Sequence, residues 1–285
     1  MNVTWILEPD MFTPYADALI SEVKSQGHIV RTVPAFYASL DWGDTSRYYI
    51  DFAPEDSCVV CHASFQFASL VAEDEIWVPG TYGICEAIDC SNYFPHFDDC
   101  LLNRDYELVT VDQLANNADA LVKSYGSEDR IFVRPDSGGK TFTGRLFARH
   151  ELTAKSLRST GAQARSQLLV SSPKSIEREW RFIIADHKVV AASQYKQANE
   201  VRMSNDIPNV VMDFAVKLAS RDFQPDRVWV LDICQTPAGE MCVVEINGFS
   251  SSIWYSSDLK AIVAAVSEVA IDDWQQGMAA HQVND

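Results

Sequence analysis

The chain has 285 residues, 47% hydrophobic and 22% charged, with 12 Gly and 11 Pro. That is the composition of a globular protein, not of a fibrous repeat, a disulfide-dense miniprotein or a disordered tail. Forty Asp and Glu against 23 Lys and Arg give a net charge of -17. This argues against a nucleic-acid coat, whose affinity depends on cations displacing condensed counterions, and against an anionic membrane surface.

No apolar run approaches the roughly 20 residues that span a bilayer. The start, Met1-Asn2-Val3-Thr4-Trp5-Ile6-Leu7-Glu8, has no basic opening and meets an acid after a short apolar stretch. Residues 3–7 are expected to be a first strand and not a signal peptide. This reading puts the chain in the cytoplasm and its seven cysteines among reduced thiols.

A helix is expected from Pro14, with Ala18, Leu19 and Val23 on one face and Gly27 at its end. Residues 29–33 form the next strand. Strands at 58–62 and 76–79 flank a short helix at 65–72, and this alternation of strand and helix predicts a parallel, doubly wound sheet. Residues 91–99, rich in Asp, Pro and aromatics, read as a connection. Residues 112–124 read as a helix carrying Leu114, Ala118, Leu121 and Val122 on its apolar stripe.

The second half opens on a strand at 131–135. It is followed by the glycine loop Asp136-Ser137-Gly138-Gly139-Lys140-Thr141-Phe142-Thr143-Gly144. Further expectations are a strand at 145–148, a helix at 151–159, and strands at 168–171, 179–184 and 188–194. A helix is expected at 207–219 through Val210, Val211, Phe214 and Leu218. A hairpin pairs 228–235 with 240–246 across Thr236-Pro237-Ala238-Gly239, and a last helix covers 258–271.

Charge is unevenly placed. Up to Cys100 the only basic residues are Lys24, Arg31 and Arg47, whereas most Lys and Arg lie between Lys123 and Arg202. A segment that gathers cations in an acidic chain fits an anion pocket. A flexible glycine loop after a strand, with free backbone N–H groups and Lys140, suits phosphate. It is no Walker loop, because Arg134 stands where that pattern opens with glycine. Cys58-Val59-Val60-Cys61-His62 matches a haem-attachment pattern, but two valines between the cysteines fit a buried strand better. Cys85, Cys90, His96 and Cys100 lack the tight spacing of zinc knuckles and read as buried thiols.

The hairpin near the C-terminus carries the sharpest chemistry. Glu245 and Asn247 alternate on one face of their strand, and antiparallel pairing can bring Asp232 alongside them. Two carboxylates about 4 Å apart repel by roughly 4 kcal/mol at an effective dielectric of about 20. A divalent cation removes that penalty, and an all-oxygen Asp, Glu and Asn set suits Mg2+ that keeps waters and phosphates.

The order of these parts resembles the ATP-grasp superfamily: Val133-Arg134-Pro135, the glycine loop with Lys140-Thr141-Phe142-Thr143-Gly144, Glu179, then Asp232 and Glu245-Ile246-Asn247. It is similar to a clade of phages and bacteria in which arginine replaces the usual strand lysine. The resemblance implies an α/β fold in two parts. An N-terminal parallel α/β domain, residues 1–104, would precede an ATP-grasp domain with antiparallel sheets, residues 105–285. The latter would divide into a glycine-loop subdomain, about 105–165, and a metal-binding subdomain, about 166–285.

By the same resemblance Arg134 would contact nucleotide phosphates, and Gly138, Gly139 and Lys140 would close over them. Leu169 and Val170 would read adenine by their backbone, with Ser171-Ser172 in place of the usual hinge glutamate. Glu179 would hold the ribose. Arg181 and Lys196 would face the γ-phosphate or an acyl phosphate. Asp232, Glu245 and Asn247 would hold one or two Mg2+, with Mn2+ as a substitute. The activity implied is ATP-dependent joining of a carboxylate to an amine through an acyl phosphate, on a small molecule, peptide or protein. The alternatives are a small-molecule kinase of the same fold and a non-catalytic ATP-binding module. The acidic N-terminal half, with Glu8, Asp10 and Tyr82-Gly83, suits an amine-bearing acceptor.

Overall fold

The computed structural model describes residues 1–34, 50–198 and 200–284. In its first part, β1 (Thr4–Leu7), α1 (Ala16–Ser25), β2 (Ile29–Thr32), β3 (Cys58–His62), α2 (Phe65–Asp74) and β4 (Val78–Gly80) follow one another. The four strands form a parallel sheet of order β2-β1-β3-β4, in which Leu7 lies opposite Thr32 on one side and His62 on the other. Every residue of β1 and β3 is buried, as expected when helices cover both faces of a parallel sheet. Alternation sends Trp5, Leu7, Cys58 and Val60 into one core with Leu19 and Val23 of α1. Ile6, Val59 and Cys61 enter a second core with Phe67, Val71 and Trp77. Cys58 and Cys61 therefore point to opposite faces and serve as packing. On α1 the inward positions are Ala16, Leu19 and Val23; Ala18, expected among them, faces out.

The middle of the chain contains α3 (Cys90–Phe97), β5 (Tyr106–Thr110), α4 (Val111–Asn116), α5 (Ala118–Tyr125), β6 (Arg130–Pro135), β7 (Arg145–Ala148), α6 (Ala154–Arg158) and β8 (Gln167–Ser171). Helix α3 occupies the stretch expected to be a connection. Cys90, Tyr93, Phe94 and Phe97 bury one face at helical spacing, and the Asp136 carboxylate caps its first turn through the Ser91 amide (2.7 Å) and hydroxyl (2.9 Å). The single helix expected over 112–124 is two, broken at Asn117. Thr110 and Gln113 form a capping box that starts α4. The four strands make an antiparallel sheet of order β5-β8-β6-β7, and their inward residues meet Leu114, Leu121 and Leu157 in a core of their own.

The last part holds β9 (Arg178–Ala185), β10 (Lys188–Gln197), β11 (Glu200–Ser204), α7 (Asn209–Ala219), β12 (Val228–Gln235), β13 (Met241–Gly248) and α8 (Leu259–Asn284). The strands run in the order β11-β10-β9-β12-β13. Strand β11 was not foreseen, and α8 extends well past the expected end at Ile271. On α7 the buried residues are Val211, Ala215, Leu218 and Ala219, which leaves Val210 in solvent.

Two compact units result. One comprises Met1–Ile84, Trp180–Asp232 and Asn247–Asp285; the other comprises Cys85–Glu179 and Ile233–Ile246. Among the described residues no helix is long and apolar enough to cross a membrane.

Inside the first unit, the loop after β4 is stitched to the turn after β13 and to the segment just before β12. The Tyr82 amide donates to Ser250 Oγ (2.9 Å), and the Gly83 amide donates to the Asp226 carboxylate (2.6 Å). A Cβ on Gly248 would overlap the Gly83 carbonyl. Gly248→Ala is therefore expected to destabilise by about 1–3 kcal/mol, the usual cost of forcing atoms into a packed site. Urea denaturation reads this directly, and an unchanged midpoint would show that the two backbones move apart freely.

His62 is buried between the Phe12 and Trp254 rings, with centroids at 3.9 and 3.8 Å, and its Nε2 meets the Tyr15 hydroxyl at 3.1 Å. The Tyr15 oxygen accepts from the Trp254 amide at 3.1 Å, which leaves its proton available to a neutral His62 Nε2. Burial pushes the His62 pKa down to about 3. Between that value and about 6.5 the unfolded chain binds a proton that the folded chain refuses, so stability falls as pH falls. We expect a loss of about 1.4 kcal/mol per pH unit below 6.5 attributable to this residue. The difference in acid sensitivity between wild type and His62→Gln measures it; equal slopes would show that His62 is protonated in the fold.

Candidate active site

In the second unit β6 presents Arg134, which is only 5% exposed. Its guanidinium lies 3.1 Å from Glu245 Oε2 on β13, and Lys140 Nζ reaches the other oxygen, Oε1, at 2.8 Å. Burial works against the charge of Arg134, but Cys90, Tyr93 and Glu245 around it raise its pKa. Two cations thus converge on one carboxylate on the strands that sequence alone had marked. Lys140 sits at φ 42°, in the left-handed region, at the tip of the glycine loop.

The loop amides were expected to be open donors, and the described geometry corrects this. The Gly138 amide donates to Asp89 Oδ1 (2.7 Å), and the Gly139 amide donates to Ser137 Oγ (3.2 Å). Burial raises the pKa of Asp89, and the Gly138 amide works the other way. A Cβ on Gly138 would sit 2.7 Å from Ile88 Cγ2, so glycine is needed there for close approach.

Leu169 and Val170 are fully buried in β8, with β5 on one side and β6 on the other. Over these residues the backbone groups are engaged in the ladders. The first residues beyond both ladders are Ser172, Pro173 and Lys174, whose ammonium donates to Ser172 Oγ (2.7 Å) and pairs with Asp105 (2.6 Å). Glu179, the second residue of β9, is buried at 6% exposure.

In the first unit Arg181 and Asp232 form a bidentate pair, Nε to Oδ1 at 2.8 Å and Nη2 to Oδ2 at 2.6 Å. Arg181 Nη1 donates to the Ile253 carbonyl (2.8 Å), and Asn247 Nδ2 donates to Asp232 Oδ2 (3.2 Å). Burial opposes the Arg181 charge, while Asp232 and then Tyr255 and Tyr195 raise its pKa. The guanidinium also lies 5.7 and 5.2 Å from the ring centroids of Tyr195 and Tyr255, which stack at 4.7 Å. Lys196 is on β10, opposite Val201 of β11.

Among the described residues no group of three or more His, Cys, Asp and Glu side chains is gathered for a metal. The oxygens of Asp232, Glu245 and Asn247 suit Mg2+ by chemistry, and both carboxylates here face cations instead. Cys90 and Cys100 are buried thiols as expected, whereas Cys85 is exposed. Four contacts escaped sequence reading: Tyr93 with Arg134, Asp89 with Gly138, the Tyr195 and Tyr255 stack on Arg181, and Gly83 with Gly248. Each joins residues far apart in the chain or, for the tyrosines, residues with no motif around them.

The antiparallel sheets, the glycine loop and the arginine- and carboxylate-bearing strands define the ATP-grasp class. The model of an ATP-grasp domain family, the third family of its clade, matches residues 86–266, and the chain belongs to that family. Its fold is similar to D-cycloserine synthetase DcsG, at TM-score 0.59 and 13% identity, covering 94% of this chain and 100% of that one. It is also similar to the D-alanine–D-alanine ligase from Coxiella burnetii, at TM-score 0.64 and 12% identity over 100% and 99% of the two chains. The ATP-grasp ligase PsnB complexed with minimal precursor aligns at TM-score 0.55 and 14% identity over 94% and 99%. No curated protein sequence matches this one.

Proposed function

We propose that the chain is an ATP- and Mg2+-dependent ligase that joins a carboxylate to an amine, releasing ADP and phosphate. The observation that carries this reading is the pairing of cations with carboxylates at the assigned positions: the buried Arg134 and half-buried Lys140 on Glu245, and the buried Arg181 on Asp232. Membership of the ATP-grasp family supports it, and the similar folds of an amino-acid ligase and a peptide-modifying ligase are consistent with it.

In this reading Arg134 and Lys140 exchange Glu245 for phosphate oxygens when nucleotide arrives, and the glycine loop with Gly138 and Gly139 covers them. Adenine meets the residues just after β8, Ser172 to Lys174, instead of the ladder-bound Leu169 and Val170. Glu179 accepts from the ribose hydroxyls. Arg181 and Lys196 offset charge on the transferring phosphoryl group as a substrate carboxylate attacks it, and the resulting acyl phosphate is opened by the amine. Tyr195 and Tyr255 hold the Arg181 plane. Asp232, Glu245 and Asn247 would hold one or two Mg2+, or Mn2+, which would supply positive charge against the phosphates. The acceptor is a small molecule, peptide or protein carrying an amine, and the compartment is the cytoplasm.

Thermal unfolding with ATP, with and without Mg2+, is the first test. Nucleotide at about 100 times its dissociation constant should add about 2.7 kcal/mol to the folded state. No rise would remove the nucleotide site. Product analysis then decides the reaction: ADP, free phosphate and an amide support the ligase, and a stable phosphoester makes it a kinase.

A further inference from the structure

The peptide group between Ile253 and Trp254 is held from both sides. Its carbonyl accepts from Arg181 Nη1 (2.8 Å), and its N–H donates to the Tyr15 hydroxyl (3.1 Å). A peptide unit is a rigid plane, so fixing its N–H also aims its carbonyl. Tyr15, the residue before α1, meets His62 Nε2 at the end of β3 (3.1 Å). The Trp254 ring adds to this anchorage, stacked on His62 at 3.8 Å and on Phe249 at 4.7 Å. Tyr15, His62 and Trp254 are 6%, 1% and 0% exposed, so bulk water does not stand in for a lost partner. All these residues belong to the first unit.

We propose that Tyr15, backed by His62, is a positioning residue for Arg181, acting through the 253–254 peptide. Asp232 takes Nε and one N–H of Nη2, and the Ile253 carbonyl takes one N–H of Nη1. Three of the five guanidinium donors are thus committed among the described residues, which leaves one on each terminal nitrogen for phosphate oxygens. The line from His62 through Tyr15 to the peptide fixes the Nη1 side of that plane, as Asp232 fixes the other. A small misplacement of a charge aimed at the transferring phosphoryl group lowers the rate while ground-state binding persists. This role rests on the ligase reading, in which Arg181 faces that group.

Tyr15→Phe tests it, because it removes the hydroxyl and keeps the ring that stacks on Trp254. The kcat for ADP release should fall about tenfold or more, with KM for ATP changed less than about twofold. His62→Gln, which keeps an acceptor for Tyr15, should retain more turnover than His62→Leu. Urea unfolding reads the link without catalysis, in a double-mutant cycle of Tyr15→Phe with Arg181→Lys. Lysine keeps the charge beside Asp232 and gives up the Ile253 carbonyl. The combined effect on the unfolding constant should fall short of the product of the single effects by about threefold or more. Independent effects, or a Tyr15→Phe enzyme with wild-type kcat, overturn the positioning role and leave the ligase reading standing. A kcat loss matched by loss of ATP-dependent stabilisation overturns it as well, since the damage is then general. A wild type that makes no ADP overturns the ligase reading and this role with it.

Discussion

Glu245→Gln is expected to leave the fold in place and remove most of the Mg2+-dependent stabilisation by ATP. Wild type at about 100 times its dissociation constant gains about 2.7 kcal/mol; a hundredfold weaker complex under the same conditions gains about 0.4 kcal/mol. Turnover to ADP should fall at least about 100-fold, equivalent to about 2.7 kcal/mol of transition-state stabilisation. Glutamine is preferred to alanine because Arg134 is 5% exposed and would otherwise lose the oxygen 3.1 Å away. A buried charge stripped of its partner is destabilising in its own right. The same variant separates two roles. If Glu245 only neutralises Arg134 and Lys140, removing its charge frees both cations. ATP without Mg2+ should then bind more tightly, and the Mg2+ effect should persist. If Glu245 holds the ion, the Mg2+ effect disappears. That reversal of sign is what the measurement decides.

How much of this was legible in the sequence follows from the range of each signal. β1 and β3 could be read because strands buried on both faces are nearly continuous apolar runs, as Val3 to Leu7 is apart from Thr4 and Cys58 to Cys61 is throughout. The glycine loop and the Asp232, Glu245 and Asn247 hairpin were visible because their residues are unusual where they stand: glycines after a strand, and acids inside apolar strands. Helix α3 was legible in principle. Cys90, Tyr93, Phe94 and Phe97 keep helical spacing, but Pro95 and the surrounding acids hid it. Strand β11 was hidden because its apolar residues face solvent and give no burial pattern. What no local pattern could supply is partnership. Nothing near Gly138 announces that Asp89 holds its amide, and nothing near Arg181 announces two stacked tyrosines, one from β10 and one beyond β13. Nor could spacing show that the loop amides are already bonded, which is why they were expected to be open.

Asp232→Ala is expected to cost about 3–5 kcal/mol, because it leaves a buried guanidinium with no carboxylate. The side chains of Arg181 and Asp232 are 10% and 1% exposed, so neither charge can turn to water without local unfolding. Among the described residues Arg181 would keep the Ile253 carbonyl and the two tyrosine faces. Those contacts are weak beside two charge-assisted hydrogen bonds. Asp232→Asn, which keeps an acceptor oxygen, should cost less. Replacing both partners with apolar residues of similar volume, Arg181→Met with Asp232→Leu, should recover most of the loss, since burying an ion pair gains little over burying apolar groups. Urea unfolding of wild type, Arg181→Met, Asp232→Leu and the double variant closes a double-mutant cycle, and a coupling near zero would mean that the pair is solvated in solution. The double variant is also the informative one for function. A folded protein with near-normal stability and no ADP production would show that this pair is kept for its work on phosphate. A stable double variant that still turns ATP over would assign Arg181 and Asp232 to the core alone.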